Sequence, residues 1–396
     1  MFFFIVLGIL SLVYGYVGWR LFTPAGFSYP WNILLWVLLF LFMLMPPLAV
    51  LLRVYGFRGF WSNVLSWVAY VSMGFFSLIF VFLVVRDLIV LIVLGVKKLL
   101  DLAHAVIVSD YMPVEPVNPD RHRFLVQSMN KGILGVTGVL MGYGFYEATR
   151  CPRVVTVKVP INYLPEDLST LRIVQITDLH VGPTVRRGFI EIVVDRVNRL
   201  SPDIIFFTGD LADGNVSELR HEVAPLADLS SVYGAYFVTG NHEYYSGPEA
   251  WVDEVNRLGM TVLNNEHRII QHGSARILIG GVTDYNAGSF MKSHISSPEA
   301  AIAGASSSDL KLLLAHQPRS ILAAAKAGFD IQISGHTHGG QYFPWNYFVR
   351  LQQPYTSGLH QYENTWVYVS RGTGYWGPPL RIGQPSEITV INLVRS

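Results

Sequence analysis

Cysteine is nearly absent. Among 396 residues there is one, Cys151, which excludes an internal disulfide framework and any thiolate zinc site and leaves the redox compartment open. Charge is scarce as well: Asp, Glu, Lys and Arg make up 14% of the chain and almost cancel, to a net +1. No block of Lys and Arg is interleaved with aromatics, so nothing tracks a nucleic-acid backbone, and nucleic acid is not an expected partner. Internal repeats and low-complexity tracts are missing. The first apolar run is not expected to be a cleaved signal, because no basic region precedes it and further apolar sequence follows.

What is present divides the chain in two. Residues 1–150 are dominated by long uncharged runs and are expected to form a membrane domain of three or four transmembrane helices; residues 151–396 have ordinary globular composition. Runs at 2–19, 31–52 (with Pro46-Pro47 inside) and 61–85 are each long enough to span hydrocarbon. Arg86-Asp87 interrupts the third before an apolar continuation over 88–96, which reads as a tilted end or an interfacial helix. A polar connection with Pro113, Pro116 and Pro119 follows, and then a marginal fourth run at 132–146. Lys and Arg are densest between the third and fourth runs (Arg86, Lys97, Lys98, Arg121, Arg123, Lys131), which favours a cytoplasmic loop there and an external globular domain after a fourth span. Arg53, Arg58, Arg150, Arg153 and Lys158 pull the other way. The chain is expected in a plasma or inner membrane, with oligomeric state open.

In the globular half, 154–159, 171–176 and 204–208 read as strands and 187–199 as an amphipathic helix. Helix then strand recurs at 250–258 and at 321–328 before Ile331. Strands without intervening helices, at 269–279 and from 366 to 393, suggest a second, more antiparallel sheet, giving two packed sheets with helices outside. Five apolar runs end in Asp, Asn or His: Asp178-Leu179-His180, Gly209-Asp210, Gly240-Asn241-His242-Glu243, His316, and Gly335-His336-Thr337-His338. In an extended chain residues i and i+2 share a side, so Asp178 and His180 could reach one ion. Ligands collect outside the carboxyl ends of strands in open α/β sheets, so this edge should hold metal. A mixed oxygen and imidazole set without thiolate suits Mn²⁺, Fe²⁺ or Zn²⁺ better than Ca²⁺.

Taken in order, these strand ends resemble the calcineurin-like metallophosphoesterases over about residues 172–340, with every ligand position filled. Gly339-Gly340-Gln341 and the tail Ser370-Arg371-Gly372-Thr373-Gly374 with Pro378 and Arg381 resemble the membrane-anchored branch, some of whose members cleave the pyrophosphate of UDP-2,3-diacylglucosamine. The resemblance implies an α/β fold, a two-sheet αββα sandwich behind the transmembrane helices. It implies two divalent ions: Asp178, His180 and His338 on one, Asn241, His316 and His336 on the other, and Asp210 bridging. Such a pair would make hydroxide available for in-line attack on phosphorus. His242 would stabilise the transition state or protonate the leaving oxygen, and Asp213 would orient it.

Arg371 and Arg381 could bind a phosphate as readily as a structural carboxylate, and Tyr375 and Trp376 between them could stack or pack. His221, His267, His272, His294 and His360 lack ligand spacing, and Glu243 is given no chemistry. The expected function is metal-dependent hydrolysis of a phosphoester, with a lipid-linked or membrane-adjacent substrate suggested by the apolar half. A broad phosphodiesterase or phosphatase on soluble substrates, and a non-catalytic membrane sensor or scaffold, are the alternatives; the intact ligand set disfavours the sensor. A transporter is disfavoured because charge inside the spans is confined to Arg86-Asp87.

Overall fold

Long uncharged runs become long helices. In the computed structural model, which describes residues 2–57, 59–107 and 118–396, these are α1 (Phe2–Ala25), α2 (Trp31–Val54), α3 (Phe60–Ile107) and α4 (Pro119–Thr149). The chain divides into two compact units, Met1–Tyr143 and Gly144–Ser396. Among the described residues, three helices, α1, α2 and α3, are long and apolar enough to cross a membrane. Their outer faces present Leu, Ile, Val, Phe and Trp, the reverse of a water-soluble bundle.

Arg86 and Asp87 do not break the third run. α3 continues through them for 48 residues, roughly 72 Å at 1.5 Å per residue and more than twice a hydrocarbon core of about 30 Å. The charges are answered locally. Asp87 lies 2.7 Å from Arg86 and 2.6 Å from Arg20 of α1, and accepts the Tyr16 hydroxyl at 2.5 Å. Paired in this way, ions can be carried inside an apolar bundle. α4 is a full helix of 31 residues but falls short of the others in apolar character. Polar bonds hold it to α1: Gln127 and Arg123 donate to the Pro24 carbonyl at 2.7 and 3.2 Å, and Asn130 donates to the Arg20 carbonyl at 2.9 Å while accepting from Arg86. Arg58, and Pro113 and Pro116 of the expected connection, lie outside the described residues.

From Arg153 the apolar period shortens and strands begin. They are β1 (Arg153–Ile161), β2 (Arg172–Ile176), β3 (Ile204–Phe207), β4 (Ala235–Phe237), β5 (Thr261–Val262) and β6 (Glu266–His272). β7 (Ala275–Gly281), β8 (Leu310–Leu314), β9 (Ile331–Ser334), β10 (Gly358–Tyr362), β11 (Thr365–Val369) and β12 (Glu387–Arg395) complete the set. Between them run α5 (Arg187–Asn198), α6 (Val216–Val223), α7 (Asn241–Ser246), α8 (Pro248–Arg257), α9 (Pro298–Ile302), α10 (Ile321–Ala327) and α11 (Trp345–Phe348). One sheet has the order β1-β12-β2-β3-β4-β5 and the other β10-β11-β9-β8-β7-β6.

Alternation along the strands builds the layers. In β3, Ile204 and Phe206 face the other sheet, while Ile205 and Phe207 face the helices with Val193 and Val197 of α5 and Trp251 of α8. On the far side Leu313 and Val367 pack on Ile321 and Ala324 of α10. The result is the expected αββα sandwich.

The strand directions differ from expectation in one respect. The second sheet is parallel through β11, β9, β8 and β7, with antiparallel pairs only at its edges, and β12 joins the first sheet between β1 and β2. The parallel neighbours are joined by long crossovers, 282–309 from β7 to β8, 315–330 from β8 to β9 and 335–364 from β9 to β11, while 370–386 carries the chain from β11 to β12 in the first sheet.

Trp251 is fully buried and donates its indole N–H to the Gly214 carbonyl at 3.0 Å. Trp251→Ala is expected to destabilise the globular unit by about 3–5 kcal/mol, read as a fall in the denaturation midpoint of the detergent-purified protein. An unchanged midpoint would contradict this packing.

Candidate metal centre

Five strands stop one to three residues short of a ligand-type side chain. Asp178 and His180 follow β2, Asp210 follows β3, Asn241 and His242 follow β4, His316 follows β8, and His336 and His338 follow β9. Asp178 and His180 converge, but not by strand alternation, because β2 has already ended at Ile176. Both sit in left-handed backbone, with φ 55° and 51°, as do Asp210 (54°), His336 (72°) and His338 (51°). Side chains other than glycine pay for that region, and such outliers gather at functional sites. Neighbouring glycines are required by contact. A Cβ on Gly240 would lie 2.2 Å from Oδ1 of Asp210, and one on Gly335 would lie 2.2 Å from Oδ2 of Asp178.

The side chains form overlapping groups whose ligand atoms fall within 4.8 Å of one another: Asp178, His180 and His338; Asp210, His316 and His336; and His180, Asp210 and His242. Nε2 of His180 is 3.0 Å from Nε2 of His338, and Nε2 of His316 is 3.1 Å from Oδ2 of Asp210. All but His242 and His336 are buried. The donor set fits divalent metal. His316 turns Nδ1 to the Thr208 carbonyl at 2.7 Å and His180 turns Nδ1 to Asp213 at 2.9 Å, which leaves each Nε2 directed into the cluster. Oδ1 of Asn241 is buried without a hydrogen-bond partner, as a ligand oxygen would be.

Asp213 does more than expected. Its Oδ1 meets Nδ1 of His242 at 2.6 Å as well as Nδ1 of His180, so one carboxylate fixes two imidazoles. Burial disfavours charge on His242, but Asp210 and Asp213 outweigh it and push its pKa up to about 9. Burial likewise opposes a charge on His316, and Asp210 overcomes it, raising the pKa to about 10. Burial, reinforced by His316, lowers His336 to about 3. Desolvation would raise Asp210, yet His316, His242 and His180 hold it well below the usual carboxylate range.

Arg381 is fully buried. Its guanidinium donates to the carbonyls of Gly374 and Gln384 and lies 3.0 Å from Nδ1 of His338. Arg371 is half-buried, with Nε donating to Glu387 at 2.8 Å, and its stem packs beside Gly339. Tyr375 is buried against the Thr184 carbonyl, whereas the Trp376 ring is exposed, 5.8 Å from that of His242. His267, His272, His294 and His360 are hydrogen-bonded elsewhere.

Glu243 was missed. Fully buried, it accepts the backbone N–H of Gly240 at 2.6 Å, Asp210 at 3.0 Å and Leu211 at 2.8 Å, tying the end of β3 to the end of β4. Burial and nearby Asp210 lift its pKa to about 7. The signal was its place three residues after Gly240, the spacing of a helix-entry capping box.

Residues 171–340 match the calcineurin-like phosphoesterase family. A transmembrane protein with metallophosphoesterase domain from Danio rerio is 40% identical over 266 residues, 65% of this chain and 61% of that protein. Its namesake from Bos taurus is 43% identical over 269 residues, again 65% and 61%. An uncharacterized metallophosphoesterase of Helicobacter pylori strain J99 is 37% identical over 268 residues, 66% of this chain and 70% of that one. The match thus spans about 61% of the length of the two vertebrate proteins.

A cation taking Nε2 of His316 displaces the proton that this nitrogen holds below pH 10. Metal uptake at pH 7 is therefore expected to release protons, and affinity should fall as pH drops. Titration calorimetry in buffers of different protonation enthalpy checks this; heats independent of buffer would contradict it.

Proposed function

The chain belongs to the calcineurin-like metallophosphoesterase family, and on that premise we propose that it hydrolyses a phosphodiester or pyrophosphate bond with two divalent ions, Mn²⁺, Fe²⁺ or Zn²⁺. The observation that carries the reading is the meeting of Asp178, His180, His338, Asp210, His316 and His336 in two ligand groups beside the His242–Asp213 pair. In this reading Asp178, His180 and His338 would hold one ion, Asn241, His316 and His336 would hold the other, and Asp210 would serve both. Bound divalent ions supply Lewis acidity, which polarises phosphoryl oxygens and acidifies water.

The chain's own groups do the rest. Asp213 takes Nδ1 of His242, so Nε2 is the nitrogen left for substrate. The Asp213 carboxylate at Nδ1 favours the doubly protonated ring, from which Nε2 can pass a proton to the departing oxygen. Arg371, with its Nε on Glu387 and its stem beside Gly339, keeps a partly open guanidinium, and we assign it to the substrate phosphate. Arg381 acts through His338.

Three membrane helices in the same chain support a substrate in or beside the bilayer, such as a lipid-linked pyrophosphate. A fourth crossing by α4, whose first turns bond to the end of α1, would put the catalytic domain outside a plasma or inner membrane. Cys151, the single and exposed thiol, reports on this directly. An impermeant maleimide should label it in intact cells; labelling only after permeabilisation would place the domain inside.

Catalysis is tested with metal-stripped full-length protein resupplied with Mn²⁺ on an aryl phosphodiester. His242→Ala should lower kcat by about 10²–10⁴ while Mn²⁺ binding persists. Equal rates for the variant and the parent would remove His242 from the reaction.

A further inference from the structure

The rim of the metal centre is aromatic and exposed. From the His242 ring, Tyr245 lies 5.2 Å away and Trp376 5.8 Å away, and Tyr245 continues to Phe290 at 5.6 Å. The Gln341 side-chain amide grips the backbone of Trp376 on both sides, with two bonds of 2.9 Å. Just beyond Gln341 the chain rises into α11 and a further turn, Val349–Leu351. There Phe343, Trp345, Tyr347 and Phe348 are about half exposed, and Leu351 is 81% exposed. The base of this helix is fixed, because a Cβ on Gly340 would strike the backbone of Asn346 at 2.2 Å. Large apolar side chains gathered on one rim, rather than scattered singly, mark a surface that another phase or molecule covers.

The rim's free cations narrow the cover. Lys292 and Arg350 are exposed, with the exposed Glu249, Glu299 and Glu363 at the margins, whereas Arg371 is paired with Glu387 and Arg381 is buried. Trp, Tyr and Phe beside Lys and Arg is the composition that settles at a bilayer's headgroup boundary, where the rings meet acyl chains and the cations meet phosphates. The three apolar helices of the same chain keep a bilayer within reach.

We propose that Tyr245, Phe290, Trp376 and the α11 turn, from Phe343 to Leu351, form an interfacial docking surface that seats the mouth of the metal centre on an anionic lipid bilayer. The inference rests on the reading that the substrate lies in or beside the membrane, and it supplies the route by which such a substrate reaches His242 without leaving the lipid phase.

The test uses the full-length chain in phosphatidylcholine–phosphatidylglycerol liposomes. Single-cysteine variants Phe348→Cys, Leu351→Cys and Val232→Cys, each in a Cys151→Ser background, carry a nitroxide spin label. Val232 is the control: it is 70% exposed and precedes β4, at the opposite edge of the sheet from the metal centre. Labels at 348 and 351 should collide severalfold more with oxygen than with a water-soluble nickel chelate, and the label at 232 should show the reverse. Labels at 348 and 351 as open to the chelate as that at 232 would overturn the proposal. So would labels shielded from both reagents, as under a second protein copy. Because the readout needs no turnover, lipid-buried labels on a protein that hydrolyses nothing would uphold docking while defeating the catalytic reading.

Discussion

Asp178 and Asp210 are buried together, and carboxylates so placed lose hydration and repel each other. In the metal-free chain the compensation comes from imidazoles. His316 and His242 are driven towards the charged form by Asp210, while His336 and His338 are driven towards the neutral form. One cluster thus polarises its histidines in opposite directions. Divalent cations would resolve the same electrostatic problem with fewer protons.

Holding the cluster together demands backbone that ordinary residues avoid. Asp178, His180, Asp210, His336 and His338 all occupy left-handed conformations. The surrounding bonds hold them there: His336 donates its N–H to Asp178, His242 donates its N–H to Asp210, and Glu243 collects three further N–H groups. The sandwich stabilises these turns from below, since buried strands that stop at the same edge leave the loops little freedom.

Much of this was legible in the residues. The five strand ends announced the side chains that meet in the cluster, and the run lengths announced the helices. What stayed hidden was non-local. Asp178 and His180 satisfy an i, i+2 rule on paper, but they meet through left-handed turns outside the strand, a conformation that pattern reading does not anticipate. Glu243 acts on backbone N–H groups more than thirty residues earlier in the chain, at Asp210 and Leu211, which no local period encodes. β12 slips between β1 and β2 because register is chosen by tertiary packing. Arg86 and Asp87 interrupt an apolar run, and their partners Tyr16 and Arg20 lie on another helix, which the run itself does not reveal.

The central claim is a two-ion cluster joined by Asp210. Electron paramagnetic resonance of the Mn²⁺-loaded full-length protein, with metal counted on the same sample, tests it most directly. The account predicts two ions per chain and the signal of an exchange-coupled pair, collapsing to isolated Mn²⁺ lines in Asp210→Asn. One ion per chain with an uncoupled spectrum in the unsubstituted protein would contradict it.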